Sequence, residues 1–230
     1  MKVLITGARS GLGRYLSENF SDCFKLNRDS KFPDDEFDLI IHCAFNSTHY
    51  EYNDDIDYGY LDDNLFLTDR LTRIPHKKFI YISSIDVYNC VNPYSFCKKL
   101  AETIVKEQCT NWNVLRCSAF LGDYTRYNTF MKIYKEETPS VFLTADSKFN
   151  YILYSDVYDF INEDCDTGVY NFVSSDNILL KDISKFFNKD VSYGEYFYQI
   201  KQVDSDKTIQ LLPQLSRTSL DTIKKYILGE

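Results

Sequence analysis

Tyr94 and Lys98 stand four residues apart in PYSFCKKLAE, residues 93–102. On a helix that spacing puts both side chains on one face, a single turn apart. A lysine ammonium beside a phenol favours the phenolate and lowers a tyrosine pKa from its ordinary value of about 10. Tyr94 is thereby a usable acid or base near neutral pH. The stretch before it, KFIYISSIDVY at 78–88, reads as a strand. A hydroxyl at the end of that strand can hold a substrate oxygen. Pro93 is placed just outside the helix that carries the pair. The spacing YxxxK is common by itself and acquires meaning only from what precedes it.

What precedes it is MKVLITGARSGLGRYL, residues 1–16. Residues 2–6 form a short apolar run, β-branched at Val3, Ile5 and Thr6, and predict a buried strand. Gly7, Gly11 and Gly13 follow at once, and a helix is predicted over 11–20. Glycines between a strand and a helix let the backbone turn tightly and approach a pyrophosphate, while the helix N-terminus offers free N–H groups and partial positive charge. Gly7, Arg9, Ser10, Gly11, Leu12 and Gly13 are the candidate ligands. The spacing is TGxxxGxG rather than GxGxxG.

A second short strand is predicted over 23–27, followed by Arg28. At the end of the second strand of a dinucleotide-binding unit, an acid binds a free ribose 2′-OH, whereas an arginine accepts a 2′-phosphate. Here LNRDS offers Asn27 and Arg28 ahead of Asp29. Arg9, inside the glycine loop, can reach the same place. Two guanidiniums suit a phosphate fork and point to NADP(H). Asp29 would serve NAD if the strand ended one residue later. FDLIIHCAF at 37–45 is a continuous apolar run, hence a buried parallel strand, and only a short connection separates it from Arg28. Residues 46–63, acidic and aromatic without clear period, read as a loop overhanging the cofactor. Residues 64–73 read as a helix.

Length and composition bound the rest. The chain has 230 residues, 44% hydrophobic and 26% charged, which fits one sizeable globular core with a small second lobe. No apolar run approaches a membrane span, and no secretory signal is read at the start, so a cytoplasmic protein is expected. A net charge of -8 disfavours nucleic acid as a partner. Seven cysteines without CxxC pairs read as reduced core thiols rather than a disulfide frame or zinc site. The three histidines, His42, His49 and His76, are isolated, and no metal site is expected.

TGxxxGxG, IIHCA, SSxxVY and YxxxK occur in the order found in extended short-chain dehydrogenases/reductases that act on nucleotide-activated sugars, and the chain resembles that family over nearly its whole length. The resemblance implies an α/β fold, a Rossmann-type doubly wound parallel sheet, with a small C-terminal substrate lobe. Residues 1–122 would be mainly the dinucleotide-binding core and 123–230 mainly the lobe, interleaved with returning core elements. Counting back from Val87 and Tyr88, the family's catalytic Ser/Thr falls on Ser84, with Ser83 the fallback. Ala44 matches the small residue that lies against the cofactor. Tyr94 and Lys98 match the catalytic pair, and both also contact the cofactor. Arg116 and Gly122 match LRxxNVYG, 148–157 resembles RDFIYVDDV, and 168–187 resembles GVYNVGSGxxxSLxELAxxI. A helix of the lobe is expected over 124–137, and a closing helix over 217–227. The chain departs from the pattern at Phe45, where a second Ala is usual, at Leu67, Asn89, Cys117 and Ala119, and in the short loop between Ser84 and Tyr94.

The family's reactions are reduction, C4 epimerisation and 4,6-dehydration, all involving hydride transfer. Dehydratases of this type carry Asp-Glu directly after the catalytic Ser/Thr. Ile85 and Asp86 stand there instead; the apolar Ile85 argues against dehydration, while Asp86 alone could do part of it. Epimerases keep a tightly held NAD, whereas the Arg28 and Arg9 reading implies an NADP(H) that comes and goes. The resemblance therefore implies an NADPH-dependent reductase of a keto-sugar, nucleotide-linked and serving carbohydrate biosynthesis. The alternatives are an NAD-dependent nucleotide-sugar epimerase and a catalytically silent cofactor-binding regulator or scaffold. A homodimer through the helices over 64–73 and 94–107 is also implied.

Overall fold

The structure, a computed structural model, describes residues 1–46 and 58–229. It divides into two units, residues 1–116 with 165–170, and residues 117–164 with 171–230. In the first, β1 (Val3–Thr6) runs through the glycines into α1 (Gly11–Asn19), and β2 (Cys23–Leu26) and β3 (Phe37–His42) follow. No helix or strand forms over residues 27–36. Phe32, from that connection, packs against the core instead. Then come α2 (Tyr58–Leu61), a π-helical turn (Asp62–Phe66), α3 (Leu67–Thr72), β4 (His76–Ser84), a 3-10 turn (Ile85–Tyr88), α4 (Pro93–Gln108) and β5 (Trp112–Cys117).

Together with Gly168–Phe172, these strands form a six-stranded sheet in the order Gly168–Phe172, β5, β4, β3, β1, β2. The registers Thr6↔Leu26, Thr6↔His42 and His42↔Tyr81 are all parallel. The strand order reverses between β1 and β3, the crevice where ligands of doubly wound sheets sit beyond the carboxyl ends. Both faces are covered. Leu4 packs with Leu71, Ala101 and Val105 of α3 and α4. Its neighbours Val3 and Ile5 point to the opposite face and are equally buried.

The second unit is built from short pieces. β6 (Ala119–Leu121), α5 (Thr129–Lys135), β7 (Ser140–Leu143), β8 (Lys148–Phe149), β9 (Tyr151–Leu153) and α6 (Tyr154–Ile161) precede the strand Gly168–Phe172, numbered β10. β11 (Ile178–Leu179), α7 (Leu180–Phe186), β12 (Ser192–Tyr196), α8 (Asp206–Leu211) and α9 (Ser219–Leu228) complete it. The pairs are β6–β9 and β7–β12, parallel, and β8–β11, antiparallel. Phe130, Met131, Tyr151, Leu180, Ile183 and Ile223 make its core. Arg217 donates to the buried Asp156 carboxylate, which also accepts the Leu153 N–H at 2.7 Å.

Several boundaries differ from the sequence expectation for local reasons. Pro93 is inside α4, at its first position, because the Asn92 side chain caps the helix by accepting the Ser95 N–H at 2.9 Å. The helix expected over 124–137 is only Thr129–Lys135, started by Asn128, whose side chain accepts the Met131 N–H at 3.0 Å. Helix begins at Tyr58, inside the stretch read as loop; the rest of that stretch, 47–57 with His49, lies outside the described residues.

Candidate active site

The residues singled out from the sequence in the first unit collect at the carboxyl ends of the strands: Gly7 after β1, Asn27 and Arg28 after β2, Ala44 after β3 and Ser84 closing β4. Gly7 and Gly11 take left-handed φ of 73° and 54°, a conformation costly for residues with a Cβ. A Cβ on Gly7 would stand 2.9 Å from the Ala44 nitrogen, and one on Gly13 would stand 2.5 Å from the Gly7 carbonyl oxygen. The glycines are thus required for the loop to nest against both the β3 end and its own helix. Ser10 occupies the N-cap position and Leu12 is buried in the first turn. The result is a concave turn facing a nine-residue helix N-terminus, which fits a pyrophosphate.

After β2 the chain makes a turn in which the Ser30 N–H donates to the Asn27 carbonyl at 2.9 Å, with Arg28 and Asp29 at the tip. Arg9 reaches across from the glycine loop and meets Asp29 at 2.9 Å. Arg28 meets Asp63 of the π-helical turn at 2.6 Å. Both guanidiniums are more than two-thirds exposed, so these pairs contribute little to stability, about 0–1 kcal/mol each. Asp63 also accepts from the Asn46 side chain at 2.9 Å.

Behind this surface lies a buried chain of polar contacts. The Ala44 N–H donates to Thr6 Oγ1 at 3.0 Å, and Thr6 Oγ1 lies 2.7 Å from His42 Nδ1. His42 Nε2 lies 3.1 Å from Thr68 Oγ1, which donates to the Asn64 carbonyl at 3.2 Å. An imidazole proton on Nε2 satisfies every group in this chain, with Thr68 Oγ1 accepting it and Thr6 donating to Nδ1. Burial, and then the Lys98 charge, pushes the His42 pKa from 6.5 down to about 3. The unfolded chain therefore takes up a proton between those values that the folded chain refuses, and stability falls as pH falls through that window. Between pH 7 and pH 5 the expected loss from this group is about 2 kcal/mol. Urea unfolding at both pH values tests it. His42→Gln should remove that share of the pH dependence, and equal pH dependence in both proteins would refute it.

Lys98 lies on the buried face of α4 with Cys97, Ala101, Glu102 and Val105, and Tyr94, one turn earlier, is half-buried. The Lys98 ammonium donates to the Ile82 carbonyl of β4 at 2.7 Å. It lies 4.6 Å from the Phe45 ring centre and 4.9 Å from that of Tyr81, within cation–π range of both. Phe45 also meets Tyr94 edge-on, with ring centres 4.9 Å apart. Burial pushes the half-buried Cys43 thiol up to about 12 against the charge of Lys98, which keeps it protonated near neutral pH.

The two serines at the end of β4 point to opposite sides of the strand. Ser83 donates to the buried Glu102 carboxylate at 2.7 Å. Glu102 in turn takes a two-pronged ion pair from Arg116, at 2.9 and 2.6 Å, and Arg116 lies 4.7 Å from the Tyr88 ring. Burial pushes the Glu102 pKa up, but the hydrogen bonds from Arg116 and Ser83 outweigh it and hold the carboxyl below its ordinary value. Ser84 caps the 3-10 turn by accepting the Asp86 N–H at 3.2 Å, which uses a lone pair and leaves the hydroxyl proton to donate.

Sequence reasoning missed three participants: Asp63 as the partner of Arg28, the Ile82 carbonyl as the partner of Lys98, and Phe45 as the ring over Lys98. The only signal for any of them was the bulk of Phe45. All seven cysteines are free thiols. Among the described residues no group of three or more His, Cys, Asp and Glu is placed to hold a metal, and no helix is long and apolar enough to cross a membrane.

No family model matches the sequence, and no curated protein matches it. Solved structures do match. A dTDP-4-dehydrorhamnose reductase from Bacillus anthracis, in complex with NADP, is 18% identical with a TM-score of 0.76 over 100% of this chain and 99% of its own. A UDP-glucuronic acid 4-epimerase from Bacillus cereus, with UDP-glucuronic acid and NAD, is 18% identical with a TM-score of 0.74 over 98% of each chain. An NAD-dependent NDP-hexosamine 5,6-dehydratase of tunicamycin biosynthesis is 14% identical with a TM-score of 0.74 over 100% of this chain and 98% of its own. At such identities the likeness establishes the fold.

Proposed function

We propose that this chain, whose fold is that of the extended short-chain dehydrogenases/reductases, is an NADPH-dependent reductase of a keto-sugar carried on a nucleotide. The observation that carries the reading is that Arg9 reaches Asp29, the neighbour of Arg28, in the turn at the end of β2. A 2′-phosphate placed there would replace two weak exposed ion pairs with charge-assisted guanidinium forks. The glycine turn accommodates the pyrophosphate, and Ala44 lies against it. A bound nicotinamide supplies the hydride. Tyr94 gives its phenolic proton to the substrate carbonyl oxygen, and Ser84 donates a hydrogen bond that holds that oxygen. Lys98 stabilises the phenolate left behind and binds the ribose hydroxyls. Residues 123–230 supply most of the lobe that holds the sugar. The reductase, epimerase and dehydratase named above all act on nucleotide-linked sugars, which supports this substrate class.

Asp29 favours a second reading, an NAD-dependent epimerase, in which its carboxylate takes the ribose 2′-OH. Thermal shift with NADPH and NADH side by side separates the two, since a ligand of the folded state raises Tm with its affinity. A larger shift with NADPH is the expected result. A larger shift with NADH, or co-purifying NAD, would transfer the assignment to the epimerase. We also propose a homodimer through α3, α4 and the π-helical turn, where Phe66, Phe96 and Leu100 are exposed; a monomer mass in sedimentation would refute it.

A further inference from the structure

We propose that Phe45 is a gate on Lys98: its ring rotates off the ammonium when a dinucleotide binds, and this step weakens cofactor affinity so that the cofactor exchanges. The inference rests on the dinucleotide-binding reading given above.

The position of Phe45 is built on both sides. Before it, the Ala44 N–H is held by Thr6 Oγ1 at 3.0 Å, and Ala44 abuts Gly7 so closely that a Cβ there would sit 2.9 Å from its nitrogen. After it, the Asn46 N–H donates to Asn64 Oδ1 at 2.8 Å, and the Asn46 carbonyl accepts from Asn64 Nδ2 at 3.2 Å. With the backbone pinned at both neighbours, the freedom left to Phe45 is rotation of its own side chain.

Among the described residues the resting ring makes three ring and cation contacts. Its centre lies 4.6 Å from Lys98 Nζ, 4.9 Å from the Tyr94 ring and 6.0 Å from the Tyr60 ring. Lys98 is only 4% exposed. For a ribose hydroxyl to meet its ammonium at hydrogen-bonding distance, about 2.9 Å, one of the groups around Nζ has to give way. The Ile82 carbonyl is strand backbone. Tyr81, 1% exposed, is locked in the core beneath α3 and α4. Of these three described groups, Phe45, half-buried at the carboxyl edge of the sheet, is the one that can leave. Its contacts with Lys98 and Tyr94 are lost in the open state, so they stabilise the closed state alone. A ligand that binds only the open state has its apparent affinity reduced by the open fraction.

The test is the dissociation constant for NADPH and NADH by titration calorimetry, in the wild type and in Phe45→Ala and Phe45→Leu. Both variants lack the aromatic face that attracts the ammonium, and Phe45→Leu keeps most of the bulk should Phe45→Ala fold poorly. The expected result is tighter binding of the preferred cofactor by about tenfold, which corresponds to about 1.4 kcal/mol, with a slower release rate. Unchanged affinity in folded variants would overturn the gate, and weaker affinity would overturn it by showing that the ring stacks on the bound cofactor. In both of those cases the wild type still binds and the dinucleotide reading stands. If wild type and variants alike bind neither NADPH nor NADH, that reading falls and the gate falls with it.

Discussion

Replacing Tyr94 by phenylalanine should lower the keto-sugar reduction proposed above by about 10²–10⁴-fold, the range contributed by a positioned general acid. NADPH affinity should stay nearly unchanged. The substitution removes only the phenolic oxygen. The ring that meets Phe45 edge-on at 4.9 Å stays, and so does the Lys98 hydrogen bond to Ile82. The loss therefore belongs to proton transfer rather than to the architecture of α4. NADPH oxidation and NADPH binding, measured on the same preparation, check it. Unchanged turnover would remove Tyr94 from the acid role. Equal losses in turnover and binding would make it a cofactor ligand instead.

Replacing Glu102 by alanine should cost about 3–5 kcal/mol of stability, the usual penalty for leaving one charge of a buried pair without its partner. Arg116 would then be stranded, its side chain only 9% exposed beside a fully buried vacated site, and Ser83 would lose its acceptor. For a chain of this size each kcal/mol lowers Tm by roughly 2–4 °C, so the shift should be plain in a melting curve. A loss of only about 1 kcal/mol, as for an exposed pair, would mean that water reaches the site and that the network does not hold the end of β4. Because Ser83 is tied into this pair, the same variant should also disturb Ser84. A fall in turnover that exceeds the unfolded fraction would reveal that coupling.

What the sequence determined by itself was local. The strand-to-helix turn at Gly7–Gly13 is specified by consecutive residues, since glycine alone tolerates φ near 73° and 54° at little cost. The Tyr94–Lys98 face follows from an i, i+4 spacing on a helix whose start is marked by Asn92 and Pro93. The buried strands β3 and β4 were visible in the stretches 37–45 and 78–88, but they end at His42 and Ser84, and residues 85–88 form a 3-10 turn instead of continuing the strand. In the second unit β6, β8, β9 and β11 are two or three residues long, too short for a period to declare itself. β7, β12 and α8 were not foreseen. The tertiary structure alone decided that Arg9 and Asp29, twenty residues apart, meet; that Arg28 turns to Asp63; that Ser83 faces Glu102 while Ser84 caps the following turn; and that Phe45 lies over Lys98. Apart from the Ser84 cap, which is local, each of these joins side chains from separate elements. Such meetings depend on strand order and register, and in a parallel sheet those are fixed by long crossovers and a shared core rather than by any neighbouring residue.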